Sequence, residues 1–272
     1  MLALRSEDSA SRLTGQAGTF VHNGGSGKYD EVIRGEVAMS PQITEPEIDY
    51  PDCDGMPMAD NTLQWDWIAT IKGNLDLLFA NDSRVFVAGD NLIYPVEGKN
   101  KLCMAPDVYV AFGRPKGYRG SYKVWKEGGI FPQVVFEVLS PNNTPAEMEL
   151  KRQFYERHGA EEYYVLDPEL VQAEGFVRST TGLTAIPAID GFKSPRLGIT
   201  FVIGEDEIEL RYPGGDRFLT FVEYGRLQQK TAREAAEEKR RANKERKRAD
   251  QECLRADKLA AKLRELGVDP DA

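Results

Sequence analysis

The chain has 272 residues, enough for one sizeable domain with appendages, and its 41% apolar content supplies one ordinary core with little to spare. No run of about 18 apolar residues is present, which excludes a membrane-spanning helix; the first 30 residues lack a basic start followed by an apolar stretch, so no secretory signal is expected and a cytoplasmic location is. The formal charge of −9 conceals an asymmetry: residues 229–258 hold eleven Lys/Arg against seven Asp/Glu, a balance of +4 that leaves −13 on the remainder and counts against a tight, nonspecific polyanion binder.

Residues 1–60 read as a poorly ordered arm. Gly24, Gly25, Ser26 and Gly27 form a flexible turn or linker, and Pro41, Pro46, Pro51 and Pro57 punctuate an acidic segment with little apolar mass to offset the entropy of ordering. The arm is expected to be extended and to touch the folded body at a few points.

A compact domain is expected over residues 61–226. Asp60 or Asn61 can cap a helix from about Thr62 to Ala80. Its Leu63, Trp67, Ile68, Ile71, Leu75, Leu78 and Phe79 recur at three- and four-residue steps, which predicts one buried face. Strand-like runs follow at Val85–Ala88 and Asn91–Pro95, on either side of Gly89-Asp90 as a hairpin turn, then at Leu102–Phe112, Gln133–Leu139 and Tyr163–Leu166. The run Val134–Leu139 is apolar except for Glu137, the pattern of a central strand covered on both faces. A helix over about Pro145–His158 turns Leu150, Phe154 and His158 inward and stops at Gly159. Residues 170–225 read as antiparallel β structure with a turn at Pro213-Gly214-Gly215-Asp216.

In the last zone, 227–272, one long polar helix is expected from about Leu227 to Leu266. Ala235, Ala242, Ala249, Ala256 and Leu263 recur every seven residues, the stripe of a coiled coil. A single solvated helix held by i,i+4 charge pairs such as Glu237–Arg241 accounts for the same pattern.

Cys53, Cys103 and Cys253 lie far apart, and His22 and His158 are too few for a His-based cage. Any metal is therefore expected to be a hard cation held by carboxylates. The informative stretches are Pro106-Asp107-Val108-Tyr109-Val110 and Phe136-Glu137-Val138-Leu139-Ser140-Pro141. A carboxylate set in an apolar strand is expensive unless a cation or donors compensate it. Two of them on neighbouring strands can share one divalent ion. Taken singly, Pro106-Asp107 is also a common turn, and Glu137 can equally be satisfied by a core Arg or Lys.

Together with the segment Glu147–Pro168, these motifs resemble the Uma2 family of restriction-type endonucleases within the PD-(D/E)XK superfamily. The resemblance covers about residues 62–225, and the tail Leu263–Pro270 is similar to tails attached to many members. It implies a fold of the mixed α/β (α+β) class: a restriction-endonuclease-like αβββαβ core with added antiparallel strands and a long C-terminal helix. It also implies hydrolysis of DNA phosphodiester bonds with Mg²⁺ or Mn²⁺. Asp107, Glu137 and the Val138 backbone carbonyl would ligate the metal, Lys151 would assist the attacking water, and two copies would work as a homodimer. The general nuclease pattern puts lysine two residues after the second acid, where this chain has Leu139. In Uma2-like proteins a lysine on the following helix stands in, and Lys151 matches it. Glu147, one turn earlier, could hold the Lys151 ammonium, and Tyr155 continues the same row.

Asp66 or Asp76 could add an acid from the first helix, whereas Asp90 is more simply a turn residue and His158 a packing or capping residue. Tyr118, Arg119, Tyr122, Lys123, Trp125 and Lys126 form an aromatic and basic stretch; Arg119, Lys123 and Lys126 could contact a nucleic-acid backbone, or the stretch is an ordinary exposed hairpin. Two other functions fit the same residues. One is a nuclease fold that no longer cuts and acts in protein–protein interaction through its C-terminal helix. The other is a nonenzymatic nucleic-acid binder using the basic tail.

Overall fold

The computed structural model describes residues 48–53, 55 and 59–267; the Gly24–Gly27 linker, His22, Pro41, Pro46 and Pro57 lie outside them. Asn61 caps helix α1 (Thr62–Leu78), its side chain accepting from the Gln64 N–H. β1 (Val85–Ala88), β2 (Ile93–Tyr94), β3 (Val108–Phe112), β4 (Tyr122–Lys123) and a 3₁₀ turn (Val124–Glu127) follow, then β5 (Val134–Val138). Thr144 caps α2 (Pro145–His158), with Pro145 in the first turn and Gly159 ending the helix in a left-handed conformation. β6 (Glu162–Asp167), β7 (Gln172–Ser179), β8 (Gly182–Ala185), β9 (Thr200–Ile203), β10 (Ile208–Arg211) and α3 (Phe221–Glu265) complete the chain. No helix among the described residues is long and apolar enough to cross a membrane.

Six strands form one sheet in the order β1-β3-β5-β6-β7-β8, and all neighbours are antiparallel except β5 and β6. A parallel pair needs a crossover, and α2 supplies it. The sheet is covered on both faces. Val108, Val110, Val134, Phe136 and Val138 face α1 and the β9–β10 hairpin, whereas Tyr109, Val135, Tyr163 and Val165 face Tyr155 of α2. The central strands are therefore largely apolar on both faces, as a doubly covered strand requires, with Glu137 of β5 and Glu162 of β6 as buried exceptions.

Several expectations need correction. β1 and β2 are not a hairpin: β1 pairs with β3, and β2 pairs in parallel with β4 as a separate ribbon. Asp90 adopts φ 55 and donates its N–H to the Pro106 carbonyl, so Gly89-Asp90 turns the chain across the start of β3 rather than back on β1. Leu150 is exposed, and Tyr155 is the buried residue of α2. Leu63 is exposed as well, and α1 instead buries two polar side chains, Gln64 and Asn74. Asn74 bonds the Leu219 backbone and the Tyr212 hydroxyl, tying α1 to the segment that leads into α3. α3 starts at Phe221, six residues before the expected Leu227, because Thr220 and Glu223 form a complete capping box. It buries no residue among those described.

Of the segment preceding α1, Tyr50 packs on Tyr94 and Trp125, and the Pro51 carbonyl accepts from the Tyr94 hydroxyl at 2.7 Å. The Asp49 carbonyl accepts from Asn100. These contacts secure the ribbon of β2 and β4.

Gly89 sits against the backbone of Asp107, so that a Cβ there would overlap the Asp107 carbonyl oxygen. Backbone cannot yield as a flexible side-chain tip can. Gly89→Ala is expected to cost about 1–3 kcal/mol or more, read as a lower urea midpoint at unchanged m-value.

Candidate active site

The β3–β5 ladder ends at the Val108–Phe136 pair, and continuing that register sets Asp107 opposite Glu137. Both belong to the sheet face covered by α2, the face of Tyr109 and Val135. Pro106 precedes Asp107, and the β3 ladder stops there. The Val138 N–H, left without a backbone partner on that side, donates to Asp107 Oδ2 at 2.6 Å.

Glu137 is 1% exposed. Its two oxygens are held from α2: Lys151 Nζ donates to Oε2 at 2.9 Å and the Tyr155 hydroxyl donates to Oε1 at 2.6 Å. Lys151 and Tyr155 lie four residues apart on one helical face, so one orientation of α2 delivers both. Burial works against the Lys151 charge, but Glu137 outweighs it and holds the ammonium above its ordinary range. Burial, and then the Glu137 charge, push the Tyr155 phenol well above its usual value, so it remains a donor. The Lys151 side chain keeps 16% of its surface open.

Asp107 is in a different state. Burial and the neighbouring Glu137 charge raise its carboxyl from 3.8 to about 8, against the opposing pull of the Val138 N–H and Lys151. Asp90 adds a smaller push in the same direction. A buried carboxyl raised in this way is a common mark of a functional centre.

Val138 contributes a third oxygen. Its carbonyl accepts from Gln64 Nε2 at 2.8 Å, while Gln64 Oε1 accepts from the Asp60 N–H. One lone pair of the carbonyl remains for another partner. Asp60 Oδ2 in turn accepts from the Ser140 hydroxyl at 2.5 Å. Asn143 Oδ1 takes the Ser140 N–H, fixing the short link between β5 and α2.

Two carboxylates and a carbonyl are a hard, all-oxygen donor set, and an acid that retains its proton near neutrality is one whose ionisation a divalent cation would favour. These residues fit Mg²⁺ or Mn²⁺, which keep several waters and take few protein ligands. Among the described residues no group of three or more His, Cys, Asp or Glu side chains forms a denser cage.

The other predicted residues fall elsewhere. Glu147 is exposed and hydrogen-bonds no part of Lys151; it acts on the ammonium only as a more distant charge, and Glu137 holds it instead. Asp66 is exposed and Asp76 pairs with Lys72 at the surface, so neither reaches the site; Gln64 is the α1 residue that does. The Arg119 guanidinium is committed to Glu127, to the Pro115 carbonyl and to the face of Phe86 at 3.9 Å, which removes it as a free phosphate contact. Lys123 lies 5.1 Å from the Tyr50 ring centroid, and Lys126 is exposed beside it. The His158 ring packs on Phe131 and Phe154, away from the acids.

A family model, Uma2, described as "Putative restriction endonuclease", matches residues 39–197, more than half of the chain. Among solved structures, a protein of Anabaena variabilis ATCC 29413 described as a putative nuclease belonging to DUF820 is similar at 13% identity. That match covers 56% of this chain and 78% of the other, with a TM-score of 0.37. No curated protein matches.

The folded chain binds the Asp107 proton more tightly than the unfolded chain does. Between about pH 4 and 8 the native state therefore carries the extra proton, and stability falls as pH rises through that window. Asp107→Asn is expected to remove this part of the slope, as read from urea midpoints at several pH values in chelator.

Proposed function

Since the chain belongs to the Uma2 family, we propose that it is a divalent-metal-dependent endonuclease hydrolysing phosphodiester bonds of DNA, acting in the cytoplasm. The observation that carries this is the convergence of Asp107 and Glu137 on one sheet face, with Lys151 at 2.9 Å from the second acid. Asp107, Glu137 and the Val138 carbonyl would hold Mg²⁺ or Mn²⁺, which when bound neutralises phosphate charge and lowers the pKa of water.

The chain's own groups then have distinct tasks. Tyr155 and Lys151 fix the rotamer of Glu137, so that its oxygens keep one direction. Gln64 does the same for the Val138 carbonyl. The Lys151 ammonium, held charged beside Glu137, can donate to the attacking water or to a non-bridging phosphate oxygen as negative charge builds there. Asp107 gives up its proton when a cation binds, which makes metal affinity rise with pH up to about 8.

Purified protein with Mg²⁺ or Mn²⁺ and a panel of DNA substrates provides the test. Cleavage is expected, with a loss of about 10²–10³-fold or more in Asp107→Ala and Glu137→Ala and of similar order in Lys151→Ala. Removing one member of a buried ion pair also costs about 3–5 kcal/mol, so each variant is compared by thermal melting. Folded variants that cut as well as the parent would remove these residues from the mechanism.

A second element of the proposal is self-association through α3. Its 45 residues carry a heptad stripe of alanines ending in Leu263 and bury nothing among the described residues. Phe221, Val222 and Leu227 near its start are exposed as well. Light scattering is expected to report a dimer for the full chain and a monomer for a chain ending at Leu227; equal masses would dismiss this role.

A further inference from the structure

A groove of about 290 Å³ opens beside the acid pair, between the first turns of α2 and strands β6 and β7. Leu139 and Val165 line it, and Val165 is the register partner of Glu137, so the groove begins one strand away from the buried carboxylate. Its aromatic surface is Phe176, backed by the buried Tyr163 ring with the two centroids 5.8 Å apart. The Arg152 guanidinium lies 5.5 Å from the Phe176 centroid.

The charge of the lining is decisive about what can enter. Glu149, Asp167 and Glu174 border the groove against a single cation, Arg152, which is already paired with Glu149 and Glu156 at 2.8 Å each. Such a lining repels phosphate and favours a neutral group that presents N–H donors. The flat aromatic and guanidinium surfaces favour a planar one.

Tyr163 supplies an independent observation. It is 1% exposed, and its hydroxyl is buried with no hydrogen-bond partner. The charges of Glu137 and Asp107 act on that hydroxyl, as do those of Arg152 and Glu149 in the groove. It therefore stands between the acid pair and the groove. Buried hydroxyls are normally satisfied, and one that is not calls for a partner.

We infer that this groove receives an unstacked nucleobase bearing an exocyclic amine, adenine or cytosine, from a nucleotide adjoining the phosphate that meets Asp107 and Glu137. The base would stack on Phe176 and the Arg152 guanidinium, donate its amine to the rim carboxylates and lie over buried Tyr163, toward its unpartnered hydroxyl. This rests on the nuclease reading for the adjoining phosphate, but the base site itself can be examined without cleavage.

Saturation-transfer NMR with 2′-deoxycytidine, 2′-deoxyadenosine and thymidine, in chelator, addresses the site directly. At least one of the two amino nucleosides is expected to bind, with thymidine about 10-fold weaker or more, the discrimination of one good base contact. Glu174→Lys reverses an exposed rim charge and should weaken binding by a similar factor. Tyr163→Phe removes an unsatisfied hydroxyl, so it should melt no lower than the parent yet bind the nucleoside less well. Absence of binding, equal binding of all three nucleosides, or unchanged binding in both variants would overturn the inference. Preference for N-acetyl-arginine amide over every nucleoside would also overturn it, in favour of a protein partner. A protein that binds an amino nucleoside but cuts no DNA retains the base site and loses the nuclease reading. One that cuts DNA but binds no nucleoside does the reverse.

Discussion

Burial of the Glu137 carboxylate in the middle of an apolar strand is the constraint from which the rest of the site follows. An ionised group there is tolerable only with a charge and donors at contact distance. α2 provides both from one face, through Lys151 and Tyr155. That in turn requires α2 to cross over the β5–β6 pair, which only a parallel connection between those strands allows. The link between β5 and α2 is short and closed by Ser140, Asn143 and Asp60, so the helix has little freedom in where it starts.

The two acids share a face but not an environment. Glu137 is enclosed and takes one donor on each oxygen, whereas Asp107, just before β3, accepts one N–H and has the Glu137 charge beside it. Like charges held close in a poorly solvated place do not ionise together. Burial and the nearby Glu137 charge therefore raise the Asp107 carboxyl, which would make Asp107 responsive to a cation brought to the site.

Much of this could be seen in the residues. The Val134–Leu139 run announced a central strand with one anomalous acid, and Pro145 and Gly159 marked the two ends of α2. The row from Lys151 to Tyr155 was visible as a helical repeat, but its aim was not, because the rotation of α2 is set by packing across β5 and β6. Gln64 was hidden for a related reason. Three residues after Asn61 its backbone N–H is the one Asn61 caps and its side-chain oxygen takes the Asp60 N–H, but its amide nitrogen reaches Val138, 74 positions away. The start of α3 was missed although Thr220 and Glu223 spell its cap, because Phe221 and Val222 continue the apolar texture of the preceding strands. The β1–β2 hairpin was a local inference from Gly89-Asp90, and a long-range antiparallel pairing with β3 overrode it.

Carrying the cation on α2 instead of on β5 separates two things that a strand lysine would join. On a strand, acid and base are two residues apart and their spacing is frozen by the ladder. On a helix, one residue added or lost between Lys151 and Tyr155 would turn the two about 100° further apart around the axis while leaving the β5 backbone bonds intact. With Tyr155 kept in the core, such a change would withdraw the ammonium from Glu137 with every acid and every strand preserved. Keeping the acids is thus no guarantee of keeping the chemistry; the helical spacing of two α2 residues decides it.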